Sequence, residues 1–456
     1  MAFPSGALVL FGATGDLAHK KTFASLQAMV KRGHLKVPVI GVARNDWSVN
    51  QLIERARDGI TKFGGGVDEA AFGKLAKLLH YVQGDYSDPG TYDRLHKALG
   101  GAKRPLHYLA IPPSMFRTVI QGLAKAKLTS QARVVVEKPF GRDLGSARAL
   151  NRLLHDEFDE SAIFRIDHYL GKEPVQNLLY FRFANSMLEP IWNRNYVSAI
   201  QLTLAENFGV EGRGRFYEEA GALRDVVQNH ALQIVSFLTM EPPATYDAES
   251  IRDEKAKLLK SVRPLNGHDT VRGQFQGYRS EDGVAPDSQV ETFAAVRMHI
   301  DSWRWQGVPV LIRVGKCLPV SAGEVLVTLH RPPHKVFPEI DPPHSNYVRF
   351  QIQPQVAIGM GARAKVPGER MVGDAVELQV CRQVGEEMEP YDRLLGDAMD
   401  GDAMLFARQD GVEAQWRIVD PILGDKVPVA EYAPGTWGPA EADKLAAPVG
   451  GWHSPE

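Results

Sequence analysis

The chain has 456 residues, 44% hydrophobic and 24% charged, a balance ordinary for a soluble globular protein and long enough for two or three domains with sizeable cores. Its formal net charge of −2 supplies no basic field for nucleic acid or an anionic membrane, and no stretch approaches the roughly 20 apolar residues that span a bilayer. The opening MAFPSGALVLFG lacks a basic segment and a cleavage site, and Cys317 and Cys381 give neither a disulfide framework nor metal-ligand spacing, so a reduced, cytoplasmic protein is expected.

Ala7 to Phe11 is a continuous apolar run, the pattern of a parallel strand buried on both faces. A glycine turn and a basic helix follow, then a second strand from Val37 to Val42 and a helix over 49–63. RPLHYLAI, from Arg104 to Ile111, predicts a strand stopped by Pro112 and Pro113, with a helix over 114–128 behind it. Ala132 to Val136 is a β-branched strand that ends at Glu137-Lys138-Pro139. Strands alternating with helices predict an α/β, Rossmann-like doubly wound sheet with right-handed crossovers. Beyond about residue 167 the texture changes. Strand-like stretches at 197–206, 290–300, 308–314, 324–330, 346–354 and 374–380 lack regular helices between them, which predicts an α+β domain with a large, mainly antiparallel sheet. The expected division is 1–167 and 168–456, with the Pro/Gly-rich stretches 331–343 and 434–439 as loops inside the second domain.

Gly12, Gly15 and Ala18 in FGATGDLAHKK form a Gly-x-x-Gly-x-x-Ala turn directly after the first strand. Small residues there let the backbone approach a pyrophosphate at the N-terminus of the next helix. The turn departs from G-x-G-x-x-G, and alone it reads equally as a nucleotide cradle, built from Gly12, Ala13, Thr14, Gly15, Asp16 and Leu17, or as an ordinary tight turn. The second strand ends at Arg44, followed by Asn45 and Asp46. An acidic tip would bind a ribose 2′-hydroxyl and select NAD, whereas arginine accommodates the 2′-phosphate of NADP. Asp46 leaves NAD open as a secondary cofactor.

The middle of the chain carries three denser motifs: EKPFGRDLG (137–145), RIDHYLGKEP (165–174) and ENFGVEGRGRFYEEAGALRDVVQNH (206–230). Pro174 suits the first turn of a helix, so Lys172, with His168 and Tyr169 upstream, reads as a phosphate site at a helix N-terminus or as a solvated lysine beside a capped helix. A neutral imidazole at His230 suits the proton removal that oxidation of a hydroxyl requires, although a lone helical histidine is commonly a satisfied core residue. Asp225 lies five residues earlier, about 140° away on an ideal α-helix, and so is not expected to face His230. His19, His34, His330 and His334 carry no metal signature, since Pro332 and Pro333 prevent a helical pair, and no metal is expected.

Together with FGATGDLA, PIWNRN (190–195), RVGK (313–316), YDRLLGDAM (391–399), FARQDGVEAQWRIVDPI (406–422) and GTWGP (435–439), these motifs resemble the glucose-6-phosphate dehydrogenase family in its own order, over nearly the whole chain. The resemblance implies an oxidoreductase of the pentose phosphate pathway that oxidises carbon 1 of glucose 6-phosphate to 6-phosphogluconolactone, with hydride transfer to NADP. It implies that His230 is the general base, that Asp167 orients it, and that Asp225 binds the sugar. His168, Tyr169 and Lys172 fall on the family's sugar-phosphate motif. Glu206 and Lys316 match substrate-binding positions, and Lys138 matches a lysine between cofactor and substrate. Asp85 and Tyr86, in VQGDYSDP, match a cofactor-side segment more weakly, as does Lys21. The family commonly carries a second cation five residues beyond Lys316, where this chain has Ser321. A homodimer or homotetramer through the second domain's sheet is implied, and the short C-terminal tail gives no reason to expect a structural NADP site. The competing readings are another two-domain sugar oxidoreductase with an EKP motif, and an inactive sugar-phosphate-binding relative.

Overall fold

The computed structural model describes residues 4–334, 336–337, 345–381 and 388–455, so part of the loop read at 331–343 lies outside the described residues. The chain forms two compact units. One comprises Met1–Glu173, Pro243–Asp253 and Glu387–Glu413; the other comprises Pro174–Pro242, Glu254–Glu386 and Ala414–Glu456. Two late segments thus join the first unit, which no periodicity in the sequence announces.

The first unit is built on β1 (Leu8–Phe11), β2 (Val39–Ala43), β3 (Leu79–Gln83), β4 (Leu106–Leu109), β5 (Arg133–Glu137) and β6 (Ile163–Ile166). They pair in parallel in the order 3-2-1-4-5-6, the doubly wound arrangement. Every residue of β1, β2, β4, β5 and β6 is buried, which is why their sequences are mainly apolar without an exposed alternate face; His107, Arg133, Glu137 and Arg165 are the buried polar exceptions. Two strands escaped the sequence reading. β3 (LHYVQ) is a half-solvated edge strand, and β6 (IFRI) is short and contains Arg165. The helix Val49–Phe63 matches its predicted span because Ser48 caps the Gln51 N–H while the Gln51 side chain returns to the Ser48 N–H.

The segment 387–413 is held by polar ties to strand ends. Arg133, at the start of β5, donates to the Met399 carbonyl at 2.6 Å. Arg165 is fully buried and pairs with Glu160 at 2.7 Å, and Glu160 also accepts from the Gln409 N–H. Removing Glu160 would leave a buried, uncompensated guanidinium, so the pair is costly to break.

The second unit is built on β7 (Val197–Ala205), β8 (Thr270–Phe275), β9 (Phe293–Met298), β10 (Val310–Gly315), β11 (Ala322–Leu329), β12 (Tyr347–Gln353), β13 (Ala357–Lys365), β14 (Gly373–Cys381) and β15 (Val429–Tyr432). Their order is 14-13-12-11-7-10-9-8-15, antiparallel except for the β7–β10 and β8–β15 pairs. All six predicted strand stretches lie in it; β8, β13 and β15 were not read from the sequence. Val325 and Val327 of β11 and Val348, Phe350 and Ile352 of β12 are buried, the alternation of a sheet with one core face. The GTWGP segment places Trp437 against the Arg313 guanidinium at 4.1 Å, with Trp452 also stacked on it at 4.9 Å.

Candidate active site

The predicted site residues fall in both units. In the first, β1 delivers the chain into the glycine turn at its C-terminal end. Gly12 has φ 82°, and a Cβ there would lie 2.2 Å from the Ala110 carbonyl, so only glycine fits. Ala13 is buried against Gly41 of β2, and Thr14 donates to the Asn45 side chain at 2.8 Å. Gly15 closes the turn onto the Gly12 carbonyl at 2.9 Å, and Leu17 leads into a π-turn over Ala18–Thr22 and the helix Phe23–Lys31. Asp16 is exposed and meets Lys20 at 3.7 Å, and Lys21 is exposed beside it.

The turn is pinned from below by Tyr86. Its hydroxyl accepts from the Gly12 N–H at 2.8 Å and donates to the Val42 carbonyl at 3.0 Å, which ties the first turn to the tip of β2. Arg44 is exposed at that tip. Two bonds from Ser87, with the Arg44 charge adding, hold the Asp85 carboxyl below its ordinary range. The structure therefore brings Gly12–Leu17, Arg44, Asp85 and Tyr86 together. A cradle that a single Cβ would fill, next to an exposed guanidinium, fits a dinucleotide phosphate.

The EKP motif closes β5. Lys138 is half-buried and the Lys138–Pro139 peptide is cis. Its neighbour Glu137 is buried, gripped by the Tyr108 hydroxyl at 2.7 Å and the Tyr391 hydroxyl at 3.3 Å. Burial pushes the Glu137 carboxyl from an ordinary 4.5 up to about 7, against the two hydroxyls and Lys138, while Asp167 adds to the rise. The sequence reading missed this group, and its signal was only the presence of Glu137 and Tyr391 inside recognised motifs.

A raised carboxylate pKa means the folded chain keeps a proton that the unfolded chain releases. Stability from this group is therefore unaffected below pH 4.5, declines as pH rises toward 7, and above that carries a deficit of roughly 3 kcal/mol. Glu137→Gln should remove that share of the decline. Denaturant melts of both proteins from pH 4.5 to 8 should show the variant gaining relative to the parent; parallel pH slopes would mean Glu137 titrates normally.

After β6, Asp167 is buried and its Oδ1 accepts from the Tyr169 N–H at 3.0 Å, shaping the DHYLGK turn. Gly171 lies under Pro390, whose carbonyl a Cβ would meet at 2.8 Å. His168 and Tyr169 stack edge-on at 5.1 Å, and the Lys172 ammonium sits 3.8 Å over the Tyr169 ring. Lys172 directly precedes the helix Glu173–Ala184, where the proline placed it.

In the second unit, Glu206 follows β7 and Lys316 follows β10, two parallel neighbours, and the two pair at 2.5 Å. The Lys316 ammonium also lies 5.0 Å from the Phe208 ring and 5.4 Å from that of Tyr217. Burial drives the Tyr217 hydroxyl pKa far up, and the charges of Asp225 and Glu206 push the same way. Ser321, at the position of the family's second cation, bonds the Asn207 side chain at 2.7 Å and accepts the Asn207 N–H.

Asp225 and His230 lie on a π-helix, Leu223–Ala231, that continues into the fully buried helix Leu232–Thr239. The ideal-helix separation of these two residues does not apply here. With i→i+5 bonding each turn is wider than in an α-helix, so Asp225 and His230 are separated by a smaller angle than α-helical spacing gives. His230 is 3% exposed. A nine-residue π segment is rare, and such segments concentrate at functional sites.

A parallel sheet in 3-2-1-4-5-6 order, with a glycine turn at the end of its first strand, defines a dinucleotide-binding protein of the oxidoreductase class. The family description "Glucose-6-phosphate dehydrogenase, NAD binding domain" matches residues 9–177, and "Glucose-6-phosphate dehydrogenase, C-terminal domain" matches 179–453. The chain belongs to the glucose-6-phosphate dehydrogenase family. Glucose-6-phosphate 1-dehydrogenase 1 of Mycobacterium bovis is 44% identical over 453 residues, which cover 99% of this chain and 97% of that protein. The crystal structure of glucose-6-phosphate 1-dehydrogenase from Mycobacterium avium, also 44% identical, superposes with a TM-score of 0.94 over 100% of this chain and 99% of that one. A glucose-6-phosphate dehydrogenase in complex with its substrate glucose 6-phosphate, 35% identical, gives 0.91 over 100% of both chains. No helix among the described residues is long and apolar enough to cross a membrane.

Proposed function

We propose that this protein is an NADP-dependent glucose-6-phosphate 1-dehydrogenase that forms 6-phosphogluconolactone, the first step of the oxidative pentose phosphate pathway. What supports the reading is its full-length similarity to a family member with bound glucose 6-phosphate, together with the presence in its sequence of Asp167, Lys172, Asp225 and His230. Bound NADP supplies the hydride acceptor. The chain's own residues do the rest. Lys172, His168 and Tyr169 hold the phosphate, and Glu206, Asp225, Lys316 and Lys138 position the sugar. His230 takes the carbon 1 hydroxyl proton as the carbonyl forms, and Asp167 orients the ring and stabilises the imidazolium. Activity is tested by following the near-ultraviolet absorbance of reduced nicotinamide with glucose 6-phosphate, glucose and other sugar phosphates. Turnover confined to unphosphorylated sugar would point to a different sugar oxidoreductase, and binding without turnover to an inactive relative.

For cofactor choice, the exposed Arg44 beside the glycine turn favours a 2′-phosphate. Arg44→Ala is expected to raise KM for NADP roughly tenfold to a hundredfold, the range for a lost charge-assisted hydrogen bond, and to leave NAD little changed. Equal effects on both cofactors would reject the assignment. We also assign the second unit's sheet to homo-oligomer formation, as a dimer or tetramer. β14 ends the sheet with Val376 and Leu378 exposed at 40% and 67%, an edge that a monomer leaves open. Sedimentation mass reads this directly. The free thiol Cys317 suits a reducing cytoplasm.

A further inference from the structure

Helix Gly214–Ala222 breaks at Gly221, with φ 63° and ψ 171°, and the π-helix carrying Asp225 and His230 starts immediately afterwards. The residue before that start, Ala222, has no side chain able to cap it. The cap comes instead from Glu291, two residues before β9. Its backbone carbonyl accepts the Ala222 N–H at 2.9 Å, and its Oε1 accepts the Leu223 N–H at 3.1 Å. The other carboxylate oxygen takes Arg272 of β8 at 2.7 Å and 3.0 Å. The remaining Arg272 donors reach the carbonyls of Gly424, Val427 and Gln289, so all five N–H groups are spent. Glu291 and Arg272 are 2% and 4% exposed. Gly221 makes room for the arrangement, because a Cβ there would lie 2.4 Å from Glu291 Oε1.

A carboxylate at a helix N-terminus is favoured by the macrodipole, and one locked into a saturated ion pair is held in place. Where a helix starts decides which way its side chains face: moving the first bonded N–H by one residue turns an ordinary helix by about 100°. We propose that Glu291, fixed by Arg272, is a positioning residue for the reaction: it sets the start, and with it the rotational register, of the helix that presents Asp225 and His230. The proposal rests on the catalytic reading of His230 given above.

The test compares Glu291→Gln, Glu291→Ala and Gly221→Ala with the parent for kcat, both KM values, melting temperature and the isotope effect with carbon-1-deuterated glucose 6-phosphate. Misplacement of the base predicts a 10- to 100-fold fall in kcat, a larger isotope effect and a KM for NADP within about twofold of the parent. Glutamine, which keeps an acceptor for Leu223, should lose less than alanine. If the Glu291 variants fail to fold, Gly221→Ala crowds the same carboxylate with the ion pair intact and should show the same kinetic pattern. Folded variants with a lowered melting temperature and a normal kcat would overturn the proposal. A normal rate in His230→Asn would instead defeat the catalytic reading beneath it, so the two failures are distinguishable.

Discussion

Replacing His230 with asparagine is expected to lower kcat by roughly two to four orders of magnitude, with KM for glucose 6-phosphate within a few-fold of the parent. Asparagine is smaller than histidine but places an amide near the imidazole Nδ1 position and keeps hydrogen-bonding capacity, so the buried π-helix should tolerate it, but it cannot take up a proton near neutral pH. The loss then belongs to the transition state alone, since the anchoring of phosphate and hydroxyls does not depend on a base. Steady-state rates, with substrate affinity measured separately by quenching of intrinsic fluorescence, check both halves. A variant that turns over near the parent rate would exclude His230 from proton removal, whatever its position on the helix.

The second large effect is expected at Lys172. Lys172→Ala should raise KM for glucose 6-phosphate roughly tenfold to a hundredfold, the cost of about 1.5 to 3 kcal/mol for a hydrogen bond to a charged group. The ammonium rests over the Tyr169 ring at 3.8 Å, so the free enzyme already holds it close to one orientation and little ordering is needed on binding. The effect should be specific to phosphate. Activity on unphosphorylated glucose should stay constant, and the preference for the phosphorylated sugar should shrink by the same factor. Lys172→Arg keeps the charge but changes a compact point donor into a planar fork, and should recover only part of the affinity. A uniform loss on both sugars would mean that Lys172 supports the turn and not the phosphate.

Ser321 bears on the same substrate end. Its hydroxyl is engaged with Asn207, so it links two loops where relatives commonly place a cation.

Much of this protein is written along the chain itself. Of the five fully buried parallel strands four were legible from the chain, because β1, β2, β4 and β5 are mainly apolar and bounded by turn signals, whereas β6, with Arg165 at its centre, was not. A helix that begins at Ser48 advertises its cap three residues later, and a turn as crowded as the one at Gly12 admits no other residue type. The motifs around Lys172 and His230 are long enough to identify the family without coordinates. Other features depend on partners distant in sequence. Tyr391 reaches Glu137 across 254 positions, and Arg133 reaches Met399 across 266. Arg272 lies on β8 and Glu291 just before β9, neighbouring strands of the sheet, and the π-helix carrying Asp225 and His230 is wound differently from the α-helix that spacing alone assumes. Local periodicity reports which face of an element is buried. It does not report which polar group lies opposite, because that partner is chosen by chain topology, and a buried charge must find one wherever the fold supplies it.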